Sequence, residues 1–285
     1  MYVIAGVSGN TGSVVADTLL AAKQPVRVIV RDAARGEPWK AKGAEVAIAS
    51  LDDRAALARA LTGAQGAYLL IPPNGWTETS IPAGRKRLSD AIAGAVQDAR
   101  PGHVVLLSSA GAQHASGTGP VQYIHPIETA LRASGVPSTF LRAGFFMENW
   151  GATLKGAIES GTLYYALATR IPQVATGDIG KTVARLLVEG PPAGARVVNL
   201  AGPADLTLED VAAALAKITG KPIAAVSVPP AAMVESLAGM GASRELAEMY
   251  GEMITAINAG KFAWDEGDLL RGSITLEQRL RELLA

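Results

Sequence analysis

Through the first half of the chain, short unbroken apolar runs alternate with stretches whose apolar positions recur at helical spacing. The runs are Tyr2–Ala5, Val26–Val30, Ala44–Ala49, Ala67–Ile71, His103–Leu107 and Ser138–Arg142. Their shortness and lack of alternation predict strands buried on both faces. Helical patterns lie between them, near Gly12–Ala22, Pro38–Lys42, Asp53–Leu61, Pro82–Arg100 and Pro126–Ser134. Strand–helix alternation predicts an α/β fold, a doubly wound parallel sheet with right-handed crossovers and helices on both faces.

After Phe145 the rhythm loosens. A helix is expected over Thr176–Glu189, entered through Asp178, whose carboxylate can cap free N–H groups. Val197–Leu200 reads as a strand, Leu208–Thr219 as a helix closed by Gly220, and Ile223–Val228 as a further strand. From Pro230 onward the pattern is mostly helical and rich in methionine.

Composition narrows the function classes. The 285 residues are 49% hydrophobic and 18% charged, enough apolar material for a large core. Lysine plus arginine balances aspartate plus glutamate at 26 each, which gives no electrostatic footprint for nucleic acid or an anionic membrane. There is no cysteine, so thiolate nucleophiles, thiolate metal sites and disulfides are excluded. The start Met1–Gly6 has no basic leader, and no apolar run approaches the roughly 18 residues of a membrane span. These features predict a cytoplasmic protein whose partner is a small molecule, and leave monomer and homodimer open. His103 and His114 lack partners at metal-binding spacing, so no metal site is expected.

The most informative stretch is Gly6-Val7-Ser8-Gly9-Asn10-Thr11-Gly12, which follows the first strand and opens the first helix. In that setting Gly6 permits the tight turn, Gly9 lets a pyrophosphate approach the backbone, and Gly12 allows close helix–strand packing. The helix N-terminus offers N–H donors to the anion, and Ser8, Asn10 and Thr11 add side-chain donors. The fold class sharpens to a Rossmann fold: a dinucleotide-binding domain over residues 1–145, rejoined by 174–200. Residues 146–173 and 201–285 form a smaller, mostly helical lobe over the sheet's carboxyl edge.

Arg31 is the first polar residue after the second strand, where sites preferring NAD carry an acid. A guanidinium there can fork onto a 2′-phosphate, a charge-assisted interaction of roughly 1.5–3 kcal/mol, so NADPH is expected over NADH. Asp32 leaves a second reading open, since it can hold a ribose if Arg31 turns away. At the fourth strand's end, Ile71, Pro72 and Pro73 are expected on the nicotinamide side. The loop Asn74–Ser80, with Trp76, is either the mouth of a pocket or a plain surface loop. Ser108 follows the fifth strand, where it either touches nicotinamide or substrate or simply caps a turn.

The glycine spacing, Val28–Asp32, Leu107-Ser108-Ser109 and Leu141–Asn149, with Asp178-Ile179-Gly180 and Val198–Pro203, resemble the NmrA-like family of atypical short-chain dehydrogenases/reductases. Within it the chain looks closest to bacterial NAD(P)H-dependent quinone oxidoreductases and azoreductase-type members. The resemblance implies a cofactor across the carboxyl edge, with substrate between it and the small lobe. Gly6, Gly9, Asn10, Thr11, Gly12 and Arg31 would hold phosphates, and Ile71 and Pro72 would flank the nicotinamide ribose. Phe145 and Phe146 would lie near nicotinamide and substrate, with Pro73, Trp76 and Asn149 completing the pocket. Ala143 stands where relatives often have proline. Ordinary short-chain reductases pair a tyrosine with a lysine four residues on, but Tyr123 is followed there by Ile127, and Thr129 replaces a lysine seen in relatives.

Without that lysine, a phenol of reference pKa about 10 is a poor base but still a proton donor. His125, two residues on, is the better-matched acid near neutrality. The same segment also reads as a helix start, with Pro126 at the first position and Glu128 in the first turn. The function expected is an NADPH-dependent reduction of a small electron-poor organic substrate, such as a quinone, azo or carbonyl compound. Two alternatives are an NADP(H)-binding redox sensor without turnover, and an imine or alkene reductase.

Overall fold

A computed structural model describes residues 1–73 and 75–285; the expected mouth loop begins at Asn74, which lies outside the described residues. The first half runs β1 (Tyr2–Ile4), α1 (Asn10–Ala21), β2 (Val26–Val30), α2 (Ala33–Ala41), β3 (Glu45–Ile48), α3 (Arg54–Leu61), β4 (Gly66–Leu70), α4 (Ile81–Ala99), β5 (Val104–Ser109), α5 (His125–Ser134) and β6 (Ser138–Ala143). The chain then leaves through β7 (Phe145–Phe146), α6 (Gly151–Ser160), β8 (Thr162–Tyr165) and β9 (Ile171–Val174). It returns in α7 (Thr176–Glu189) and β10 (Ala195–Ala201). A second excursion takes β11 (Asp205–Leu206), α8 (Leu208–Thr219), β12 (Ala224–Ser227), α9 (Pro230–Gly239) and α10 (Arg244–Asn258). β13 (Asp268–Arg271) and α11 (Leu276–Leu284) end it.

The main sheet has the order β13-β10-β6-β5-β4-β1-β2-β3, with parallel pairing throughout. The chain order reverses between β1 and β4, which is where open α/β sheets leave a crevice at their carboxyl edge. β1, β2, β4, β5, β6 and β10 each feed both cores because side chains alternate. Tyr2 and Ile4 of β1 join Val15 and Leu19 of α1 and Ile179 and Val183 of α7 on one face. Val3 joins Leu57, Leu61, Ile92, Val96, Ile127 and Leu131 on the other. The excursions build a third core around Met147, Trp150, Leu163, Leu208, Leu215, Ile254 and Leu280.

Three features depart from the sequence pattern. β13 adds an edge strand to the main sheet, so residues 201–285 do not stay wholly in the lobe. The excursions also contain short strands besides the expected β12: β8 pairs with β12, and β9 joins β7 and β11. And α7 is not capped by Asp178. Its first N–H, from Thr176, donates to Glu148 at 2.8 Å, while Asp178, already inside the first turn, accepts from Ile274 N–H at 2.8 Å. A carboxylate from the lobe thus caps a helix of the sheet domain, and a carboxylate of that helix ties down the C-terminal segment.

Candidate functional site: a polar cleft and an apolar chamber

The turn after β1 forms as the glycines require. Gly6 adopts φ +69°, and a Cβ on it would sit 2.5 Å from Leu70 Cδ2. A Cβ on Gly12 would collide with the carbonyl oxygens of Gly6 and Ala5, so only glycine lets α1 close onto β1. Gly9 differs: its φ is −110°, and a Cβ would meet only Gly6 O at 3.4 Å, an ordinary contact. Internal packing does not demand glycine there, so the space it keeps is available to a ligand. Gly9 is also the N-cap of α1 and contributes no side-chain cap, which leaves the first-turn N–H groups for an anion.

Beside this turn lies a cleft of about 610 Å³ over the ends of β1 to β4. Gly6, Ser8, Arg31, Pro72 and Pro73 line it, as do Arg35, Arg85 and Arg87. Its acids are Asp52 and Glu78, so guanidinium outnumbers carboxylate. Arg85 is buried and donates to Pro72 O at 2.6 Å and to Glu78 at 3.0 Å. Arg31 and Arg87 line the cleft from exposed positions. Asp32 is drawn off elsewhere. It caps α2, accepting from the Arg35 N–H at 3.0 Å and Arg35 Nε at 2.9 Å, and the backbone bond leads in holding its carboxyl below the usual range. Of the two candidates, Arg31 lines the cleft, whereas Asp32 is a helix cap.

A donor-rich glycine turn, a vacant step at Gly9 and a cationic wall together fit a phosphorylated dinucleotide. Thr11 offers its backbone only, because its hydroxyl shares a 2.8 Å hydrogen bond with the Tyr68 hydroxyl inside the core. Burial raises the Tyr68 phenol well above its ordinary range, so it stays neutral.

The second cavity, a chamber of about 750 Å³, lies between the ends of β5 and β6 and the lobe. Trp76, Phe145, Phe146 and Asn149 line it, with Ser109, Tyr165, Met233, Tyr250 and Phe262 among others. Phe145, Trp150 and Tyr165 pack in a triangle with ring centroids 4.7–6.2 Å apart. The Trp76 segment crosses to the lobe: Trp76 Nε1 donates to Met240 O at 3.1 Å, and Ser243 N–H donates to Trp76 O at 3.0 Å. Ser80 takes a left-handed φ of 59°, held by donation of its N–H to Glu245 at 2.9 Å. Residues 75–80 thus form a strap between sheet and lobe at the border of the two cavities.

Several sequence expectations land elsewhere. Pro73 lines the cleft and not the chamber, while Phe145 lines the chamber and not the cleft. Ile71 lines neither and packs against the core below. Asn10, Thr11, Gly9 and Gly12 stand at the turn itself, outside the cleft's lining. Ser108 points away from the chamber because β5 alternates. It is buried and donates to Glu128, while its neighbour Ser109 lines the chamber. Glu128 in turn forks onto Arg142 at 2.7 and 3.1 Å, and Arg142 reaches Asp265 at 2.8 Å.

His125 and Tyr123 line neither cavity. His125 opens α5, and its Nδ1 lies 3.0 Å from Ala112 O. Tyr123 packs against Ile81, Leu246 and Met249. Burial, then Glu245 and Glu252, push its phenol up, so it is a poorer acid than a free tyrosine. The helix start expected of this segment is present, with α5 beginning at His125. Three phenols line the chamber: Tyr164, which is largely exposed, and Tyr165 and Tyr250, both raised by burial and therefore neutral hydrogen-bond donors.

Sequence reading missed Arg35, Arg85, Arg87, Ser109, Tyr165 and Tyr250. Signals existed for some. Asp32 to Arg35 has capping spacing, and two arginines early in α4 sit against the helix dipole, an arrangement that an anionic ligand would relieve. Nothing local marks Tyr165 or Tyr250.

The NmrA-like family model matches residues 2–269. The NAD(P)H azoreductase of Xenophilus azovorans is 26% identical over 254 residues, covering 89% of this chain and 86% of that protein. Quinone oxidoreductase 2 of Escherichia coli (strain K12) is 27% identical over 263 residues, covering 91% and 89%. The crystal structure of the NADPH-dependent quinone oxidoreductase QOR2 from Escherichia coli, complexed with NADPH, superposes with a TM-score of 0.84 at 26% identity, covering 100% of both chains.

Proposed function

This chain belongs to the NmrA-like family, and from that premise we propose that it is an NADPH-dependent oxidoreductase that reduces a flat, electron-poor organic acceptor such as a quinone or azo compound. One observation carries the reading: a cationic cleft beside a glycine turn and an apolar chamber lie side by side along one sheet edge. The first suits a phosphorylated dinucleotide, the second its hydride acceptor. The names of the two relatives, an NAD(P)H azoreductase and a quinone oxidoreductase, support the same assignment.

In this reading Gly6, Gly9 and the first turn of α1 hold the pyrophosphate, and Arg31 holds the 2′-phosphate. Pro72 and Pro73 bound the cleft on the nicotinamide side. Bound nicotinamide supplies the hydride. The chain's own task is to set donor and acceptor about 3–3.5 Å apart and to exclude water. The aromatic triangle and the strap at Trp76 do this on the acceptor side. The phenols of Tyr165 and Tyr250 can donate hydrogen bonds to a reduced oxygen or nitrogen, while water outside replaces the proton. A quinone needs little more, because its reduced form is a stabilised oxyanion. Loss of a full general acid costs about 10²–10⁴-fold, which a reactive acceptor tolerates better than a plain ketone does.

The test is to mix purified protein with NADPH and a panel of quinones, azo dyes and aldehydes and to follow absorbance of the reduced cofactor. Turnover is expected with quinones first. Tight NADP binding with no oxidation across the panel would replace this reading with that of a redox sensor.

A further inference from the structure

The two cavities divide electric charge between them. Among the described residues the cleft has four arginines in its wall, whereas no lysine, arginine or histidine lines the chamber. The chamber's one ionisable carboxylate is Glu148, whose side chain is only 8% exposed. Its Oε1 accepts from Thr176 N–H at 2.8 Å and Thr176 Oγ1 at 2.6 Å, with Arg279 Nε 2.8 Å away. Its Oε2 is buried and has no hydrogen-bond partner among the described residues.

The small hydroxyls of the wall are also turned inward. Ser109 donates to Ala110 O at 2.9 Å, and Thr153 donates to Trp150 O at 2.8 Å. Apart from Asn149, Ser236 and the tyrosine hydroxyls, the rest is aromatic, aliphatic and methionine surface, including Met233, Met240 and Met253. Such walls adapt to flat apolar molecules. A dry cavity of about 150 Å³ already takes a benzene, so a chamber of about 750 Å³ has room for several fused or linked rings.

We propose that the chamber selects its acceptor by charge: it takes uncharged, extended aromatic acceptors and turns away anionic ones. An anion entering it sheds water and meets no cation, only phenols, the exposed Asn149 amide and Ser236, and a carboxylate with an unpaired oxygen. Burying a charge without a partner is strongly unfavourable. The nearby buried guanidinium of Arg85 lines the other cavity, where Pro72 and Glu78 hold it. Phosphate and acceptor are thereby sorted to opposite ends of the same edge. The acceptor class rests on the oxidoreductase reading; the charge preference itself does not.

A matched pair tests it: menadione and naphthoquinone sulfonate share a bicyclic core and differ in charge. The sulfonate is the more electron-poor of the two, so reactivity alone favours the molecule the chamber should reject. Binding is read by quenching of tryptophan emission with tetrahydro-NADP present, whose ring is uncharged and gives no hydride, and turnover by NADPH oxidation. Menadione is expected to bind and turn over at least about tenfold better, the scale of an uncompensated buried charge. Equal or tighter binding of the sulfonate, or no binding of either, overturns the proposal. Preferential binding of menadione without NADPH oxidation upholds the charge preference and removes the oxidoreductase reading. Met240, which is 60% exposed at the chamber wall, provides the second variant. Met240→Arg is expected to narrow the gap by raising sulfonate affinity, and an unchanged gap in a folded variant counts against the proposal.

Discussion

Gly6, Ser8 and Arg31 reach the cleft within a single strand–helix–strand unit, whereas Trp76, Phe145, Tyr165, Tyr250 and Phe262 reach the chamber from segments spread across most of the chain. The cleft hangs on strand ends and one tight turn, where a single added methyl would strike the backbone. The chamber hangs on lobe helices and a strap, walled by side chains that can shift. The difference teaches that the cleft proposed for the coenzyme is fixed by backbone, while the chamber proposed for the acceptor is fixed by packing. Backbone sites fail abruptly when altered; packed sites drift.

The hardest way to break that comparison is at the glycine turn. Gly12→Ala drives a Cβ into the carbonyls of Gly6 and Ala5, so a loss of about 4 kcal/mol or more in denaturant unfolding is expected. Gly9→Ala is its control. With only a 3.4 Å contact to accommodate, it should fold within about 0.5 kcal/mol of the parent yet bind NADPH at least about tenfold more weakly. If both variants lose stability alike, Gly9 is a packing glycine and the vacant step is not a ligand site.

A smaller effect sharpens the cationic end. Arg31→Ala should raise the NADPH dissociation constant about ten- to hundredfold, the worth of a charge-assisted bond, and barely move that of NADH. Calorimetry on both coenzymes reads this directly; equal losses would mean that the arginine does not touch the 2′-phosphate. The smallest effect lies outside both cavities. His125→Ala should leave kcat/KM for a quinone within about threefold, roughly 0.7 kcal/mol of barrier, since its ring is bound to Ala112 O and lines no cavity. A hundredfold loss with the fold intact would return the proton-donor role to this histidine.

Particular residues show how far the chain could be read. The turn and Arg31 were legible because their chemistry is local: a strand, a turn and a helix start within one short stretch. Asp32 was ambiguous until its cap to Arg35 was seen, although the capping spacing was present. Ser108 was the serine named as a candidate, yet Ser109 lines the chamber: strand parity assigns the two to opposite faces, and only the sheet's surroundings say which face holds the chamber. β13 was lost in a polar segment, since its pairing with β10 supplies an order that its own residues do not announce. The cap on α7 was misplaced for a related reason: Glu148, from the excursion after β6, takes the position that Asp178 was expected to fill.

The sequence by itself determined the doubly wound sheet, the glycine turn and the cationic mark at the end of β2. Each of these follows from side-chain period and backbone sterics acting over a few neighbouring residues. Only the tertiary structure decided that Tyr123 ends a 3-10 turn and His125 begins α5 outside the lining of both cavities, that Tyr165 and Tyr250 line the chamber, and that no cation lines it among the described residues. Those outcomes depend on which distant surfaces bury one another, and burial between remote segments leaves no local pattern along the chain.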